Sequence, residues 1–160
     1  MKKLKIYLDT SVINFLFADD APDFRKVTQD FFAIYAANYN LCISRIVILE
    51  ISRTPHRELR DKLMNVIRGH AVEVLPDDDT VHIQKLAAVY MRKGIIPAAK
   101  MEDALHVAYA TVSKVDILLS WNFKHLANVN KEARILAVNN EEGYHHPLRL
   151  LSPLEVENEK

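Results

Sequence analysis

Residues 5–13, Lys5-Ile-Tyr-Leu-Asp9-Thr10-Ser11-Val12-Ile13, decide how this chain folds. Lys5–Asp9 is a short apolar run rich in strand formers that stops on an acid. Thr10 and Ser11 lead into a second apolar stretch, Val12–Phe17, which reads as a first short helix. After the loop-like cluster Asp19–Asp23, the residues Phe24, Val27, Phe31, Ile34 and Tyr35 fall on one helical stripe that extends to Asn38.

The same alternation recurs along the chain. Leu41–Ile43 reads as a second strand, with Ser44 placed to cap a helix running through Glu50. Pro55 marks a break or a new start, and a polar helix follows to Arg68, with Gly69 as its stop. Ala71–Leu75 is a third strand. Pro76 and the acids Asp77–Asp79 precede a long helix that Gly94 ends, and the simplest role of those acids is to complement its dipole. Pro97 pre-sets the Ala-rich helix Ala98–Thr111, Asp116–Ser120 is a fourth strand, and Arg134–Val138 is expected to be a fifth. This order predicts an α/β fold, a three-layer α/β/α sandwich around a central, mostly parallel sheet of four or five strands. Residues 1–140 are expected to form one domain, and 141–160 an irregular C-terminal tail packed on or flanking it.

Composition removes several classes of function. Apolar residues make up 49% and charged residues 26% of the 160, as in folded domains. With only 3 Gly, neither a dinucleotide fingerprint nor a phosphate loop can be written. The lone Cys42 excludes a disulfide framework and any CxxC zinc site, and is expected to pack as a small apolar residue in a reducing compartment. The 21 basic and 21 acidic residues cancel, which argues against coating nucleic acid by bulk charge but leaves room for a local basic patch. No run approaches a membrane span, and Asp9 interrupts any signal-like segment, so a cytoplasmic chain is expected.

In parallel α/β sheets, ligands bind beyond the carboxyl ends of the strands. Asp9 closes the first strand, Glu50 lies on the helix after the second, Asp103 opens the helix before the fourth, and Asn122 follows the fourth directly. Each acid interrupts an apolar segment, and acids are seldom buried unless paired or ligating a metal. Three close carboxylates would take up a proton unless positive charge joined them. An all-oxygen set suits Mg²⁺ or Mn²⁺, and the chemistry such a site does best is phosphodiester hydrolysis.

Leu8-Asp9-Thr10-Ser11, Ser44 through Glu50-Ile51, Glu102-Asp103-Ala-Leu-His106-Val-Ala108 and Asp116-Ile-Leu-Leu-Ser120-Trp121-Asn122 resemble the four motifs of the PIN domain. The resemblance runs in order from Lys5 to about Leu126. It implies a small Mg²⁺- or Mn²⁺-dependent ribonuclease, as in the VapC-type toxins of toxin–antitoxin pairs. Asp9, Glu50 and Asp103 would then hold the metal, and Asn122 would complete the catalytic set. Thr10, Ser11 and Arg53 are the candidate substrate-binding residues, the two hydroxyls supporting the site from behind. RNA, a cognate antitoxin and a second copy in a homodimer are the implied partners. The departure is Asn122, where many members carry Asp. It keeps an oxygen ligand but loses a charge, and Glu102 could partly compensate, whereas Asp116 stands at the wrong end of its strand.

Each residue also has a plainer reading. Asp9 could merely cap a helix, Glu50 could be a solvated helix residue, Asp103 could complement a dipole, and Asn122 could be a turn residue. His106 can face the acids but reads first as a hydrogen-bonded helix residue, and His125 could touch a phosphate. The basic residues Arg53, Arg57, Arg60, Lys62 and Arg68 could guide an RNA backbone or form a solvated face with pairs such as Arg57–Asp61. The competing reading of the whole is a PIN-fold RNA-binding or protein-interaction module weakened in catalysis by Asn122.

Overall fold

The computed structural model describes residues 2–122 and 129–158. Its elements are β1 (Lys5–Leu8), α1 (Thr10–Asn14), α2 (Pro22–Asp30), β2 (Asn40–Ile43), α3 (Arg45–Ser52), α4 (Arg57–Gly69) and β3 (Glu73–Val74), followed by α5 (Thr80–Arg92), α6 (Met101–Val112), β4 (Ile117–Leu119), α7 (Val129–Glu141), β5 (Arg149–Leu151) and α8 (Pro153–Asn158). The sheet is parallel throughout, in the order β3-β2-β1-β4-β5. The chain moves from β1 toward one edge and then returns to lay β4 on the other side of β1. Since parallel crossovers are right-handed, that reversal puts α1–α4 and α5–α7 on opposite faces and makes the three-layer sandwich.

The central strands explain their own sequence. Ile6, Tyr7 and Leu8 of β1 and Leu118 and Leu119 of β4 are fully buried, because helices cover both faces of the sheet. Cys42 is likewise buried and unpaired, and burial pushes its thiol up to about 12. Pairing fixes the register: Tyr7 lies opposite Cys42 on one side and Leu118 on the other. Asp9 N–H donates to Leu119 C=O at 3.1 Å, so the ends of β1 and β4 are tied together at the switch point of the topology.

Two expectations are corrected. Arg134–Val138 lies within α7 and is helical. Its buried residues Ile135, Val138 and Asn139 follow helical rather than alternating spacing, an ambiguity that short apolar runs cannot resolve in sequence. The fifth strand comes from the segment expected to be irregular: Arg149–Leu151 pairs with Ile117–Leu119, and α8 follows it. The flanking Pro147 and Pro153 hide this strand in sequence, since they bound it without interrupting its hydrogen bonds. The acids before α5 also do more than complement a dipole. Asp77 accepts from Arg45 Nη1 at 2.6 Å and from Tyr109 Oη at 2.8 Å, tying three segments together, and these donors hold its carboxyl below the usual range.

Candidate active site

Asp9 has backbone angles φ −79° and ψ 171° and caps α1, its Oδ1 accepting from Val12 N–H at 3.4 Å and from Ser11 Oγ at 2.5 Å. Its Oδ2 accepts from Ser120 Oγ, at the end of β4. The cap reading of Asp9 is therefore correct as far as it goes. A cap, however, is ordinarily solvated, and Asp9 is only 1% exposed. Burial raises its pKa; the nearby His106 and the Ser11 and Ser120 hydroxyls pull it back, and the charge of Asp103 raises it further.

Ser44 caps α3 through Ile46 N–H at 3.2 Å, which sets the rotation of that helix and turns Glu50 toward Thr10 and His106. Glu50 Oε1 accepts from Thr10 Oγ1 at 2.8 Å and lies 2.7 Å from His106 Nε2. Burial would raise this carboxyl, but the hydrogen bond and charge of His106 outweigh it and the pKa is lowered. Asp103 stands in the first turn of α6, half-buried. Burial raises its pKa, against the charges of His106 and Lys100 and a hydrogen bond from the Asn122 side chain, while Glu50 adds to the rise. For His106 burial alone would favour the neutral ring. The Glu50 hydrogen bond and the charges of Asp9, Glu50 and Asp103 outweigh it and raise the imidazole pKa.

Asp9, Glu50 and Asp103, which come from three separate parts of the chain, thus all act on one histidine, with Asp103 acting on Asp9 and Glu50 on Asp103. Asn122 joins them through Asp103. Among the described residues, no group of three or more His, Cys, Asp or Glu side chains is arranged to hold a metal ion. The donor chemistry nevertheless fits a hard divalent cation: these are oxygen ligands, and Asp9 and Asp103 are carboxyls whose charge is incompletely offset by the protein. Glu50 differs from them, being already paired with His106.

Thr10 and Ser11 are buried, and their hydroxyls are engaged with Glu50 and Asp9, so they support the acids from behind. Arg53 is exposed at the mouth and pairs with Glu102 at 3.0 Å, and Glu102 in turn neighbours Glu50. Asp116 lies at the other end of the sheet, bonded to Lys5 N–H at 2.8 Å and paired with His146 at 2.8 Å. The Arg57–Asp61 pair is absent from the ion pairs of the described residues, and Arg60 reaches Thr54 C=O instead. His125 lies outside the described residues. Phe24 packs on Trp121 at 4.7 Å, and Trp121 Nε1 donates to Thr28 at 2.9 Å, so α2 holds the residue that precedes Asn122. A cavity of about 1180 Å³ opens among Lys3, Lys5, Tyr39, His70, Lys114 and Asp116, at the amino ends of the strands and away from the acids. Sequence reasoning missed Ser120 and Tyr7, which read there as ordinary strand residues.

A parallel sheet in this order, with acids gathered at its switch point, defines a class of α/β domain whose ligands bind beyond the carboxyl ends of the strands. The sequence model of the PIN domain matches residues 6–131, and the chain belongs to that family. No curated protein matches it by sequence. The fold is similar to that in a crystal structure of VapBC2 from Rickettsia felis bound to a DNA fragment from their promoter, with a TM-score of 0.57 at 16% identity, covering 93% of this chain and 98% of that one.

Proposed function

We propose that the protein is a metal-dependent nuclease that hydrolyses RNA phosphodiester bonds, and that it serves as the toxin of a toxin–antitoxin pair. The observation that carries the reading is Asp9: a carboxylate that is 1% exposed at the junction of β1 and β4, its pKa raised further by the charge of Asp103, with no Lys or Arg among the described residues bonded to it. Asp9 and Asp103 would hold Mg²⁺ or Mn²⁺, with Glu50 completing the shell and Asn122 orienting water. The chemistry such an ion supplies, when bound, is activation of water and neutralisation of charge on the phosphate. The chain's own groups set the geometry: Ser11 and Ser120 fix both oxygens of Asp9, and Thr10 fixes Glu50. Arg53, exposed beside the acids, is suited to a phosphate of the incoming strand.

Membership of the PIN family supports nuclease chemistry, and the likeness to a VapBC complex supports an antitoxin partner. Leu49, next to Glu50, and Met101, two residues before Asp103, are 40% and 54% exposed, which suits a partner segment laid across its mouth. A homodimer belongs to the same reading. No helix among the described residues is long and apolar enough to cross a membrane.

The test is cleavage of single-stranded RNA by wild type and Asp9→Asn, with Mn²⁺ or with EDTA. Wild type should cleave only with Mn²⁺, and Asp9→Asn should be slower by about a hundredfold or more. Equal cleavage by the two proteins would remove the nuclease reading. Asn122 favours a second reading, a module whose catalysis has been weakened. RNA binding without cleavage in Mn²⁺ would select it.

A further inference from the structure

Glu50 is gripped from the core as well as from the crevice. His106 stands one turn beyond Asp103 on α6 and is 2% exposed. Its Nε2 lies 2.7 Å from Glu50 Oε1 and its Nδ1 2.8 Å from Tyr7 Oη. Tyr7 Oη is 2.6 Å from Ser44 Oγ, and the Tyr7 and His106 rings meet edge-on with centroids 5.6 Å apart. Ser44 caps α3, the helix that carries Glu50. The polar chain therefore leaves Glu50, crosses α6 and β1, and returns to the start of Glu50's own helix.

With the ring neutral, Ser44 donates to Tyr7, Tyr7 to Nδ1, and Nε2–H to Glu50; with the ring charged, Nδ1–H donates to Tyr7, Tyr7 to Ser44, and Nε2–H still to Glu50. A fully satisfied buried network locks the rotamers of its members. Glu50 would otherwise be a flexible acid on a partly exposed helix turn. With Oε1 held by both His106 and Thr10, its orientation is set before any ligand arrives.

We propose that His106, braced by Tyr7 and Ser44, is a positioning residue that fixes Glu50 Oε1 and so orients the Glu50 carboxylate toward a divalent cation at Asp9 and Asp103. The role rests on the nuclease-site reading above. A merely structural histidine would affect stability whether or not Glu50 were present, and would leave cation affinity in the folded protein unchanged.

The experiment is Mn²⁺ titration by calorimetry of the full chain, with melting temperatures measured in parallel. His106→Leu, His106→Gln and Tyr7→Phe are made alone and in a Glu50→Ala background. His106→Leu should weaken Mn²⁺ binding by about tenfold or more. His106→Gln, whose amide nitrogen still reaches toward Glu50, should recover most of that affinity, and Tyr7→Phe should fall between the two. In the Glu50→Ala background His106→Leu and His106→Gln, which both remove the ring's charge from Asp9 and Asp103, should match each other to within about twofold. Losses of the same size with and without Glu50, or no rescue by Gln, overturn the positioning role while leaving the nuclease site standing. No Mn²⁺ uptake by wild type overturns the nuclease site and the role together. If His106→Leu does not fold, the Gln and Phe variants decide the question, since each keeps the bulk of the side chain it replaces.

Discussion

Asp9 is a buried carboxylate at a helix N-terminus, and those two circumstances act on it in opposite directions. Burial and, less strongly, Asp103 oppose the charge; His106 and the two serine hydroxyls favour it without cancelling them, leaving the pKa above the ordinary 3.8. Between 3.8 and the raised value the folded chain holds more protons than the unfolded one, so stability from this residue falls as pH rises through that window. At neutral pH without metal the charge is a liability. Asp9→Asn keeps a good capping residue and removes the charge, so in EDTA at pH 7 it should melt higher than wild type, by about 2–4 °C per kcal/mol regained. With Mn²⁺ the order should reverse. Scanning fluorimetry checks both halves, and a lower melting point for Asp9→Asn in EDTA would show that the charge is compensated within the protein. Asn122→Asp makes the converse change. Placed beside Asp103, a new carboxylate should lower the melting point in EDTA and tighten Mn²⁺ binding severalfold, the sign of the effect depending on the ion. A variant that is weaker under both conditions would place position 122 outside the cation's reach.

At the level of elements, β5 is the segment on which the sheet's outer edge depends. It covers β4, whose Leu118 and Leu119 are fully buried, and Ser120 N–H donates to Leu151 C=O at 3.0 Å beside the Asp9 contact. Ending the chain at Asn140 would remove β5 and α8, expose that edge, and loosen the turn that presents Ser120 and Asn122. Such a truncation should lose cooperative melting or aggregate. A sharp near-native transition would show that residues 1–140 are an independent unit. The end of α7 lies outside the apolar run Arg134–Val138. Gly143 has φ +91°, and Tyr144 N–H closes back on Asn139 C=O at 2.7 Å, a helix stop that lies beyond the apolar stretch.

For the molecule as a whole, the balance of 21 acidic and 21 basic residues hides a local excess of negative charge at one end of the sheet. Among the described residues, Asp9, Glu50, Asp103 and Glu102 gather there against His106, Lys100 and Arg53, with Asp9 the most deeply buried of the acids, so cation binding should be linked to global stability. A ligand bound only by the folded state adds about 2.7 kcal/mol at a hundredfold excess over Kd, which for a chain of this size is about 5–11 °C. Millimolar Mn²⁺ should raise the wild-type melting temperature by several degrees and that of Asp9→Ala by much less. An unchanged wild type would count against the site. Light scattering tests the proposed second copy: a mass near twice that of one chain supports the homodimer, and a monomer at high concentration removes it.

What the sequence determined by itself is the alternation of elements and the positions of the acids at strand ends. Those are local properties: the apolar run Lys5–Leu8, the caps Asp9 and Ser44, and the helical period of α5 and α6 are set by neighbours in the chain. His106 could be seen to share a face with Asp103, because helical spacing is also local. Only the tertiary structure decided that Arg149–Leu151 rather than Arg134–Val138 completes the sheet, because an apolar run of that length satisfies either conformation until something packs against it. It also decided that His106 engages Glu50, backed by Tyr7 and Ser44, and that Ser120 holds Asp9. Those contacts join residues up to 111 positions apart, and no local periodicity or spacing encodes which side chains meet when β4 is laid beside β1.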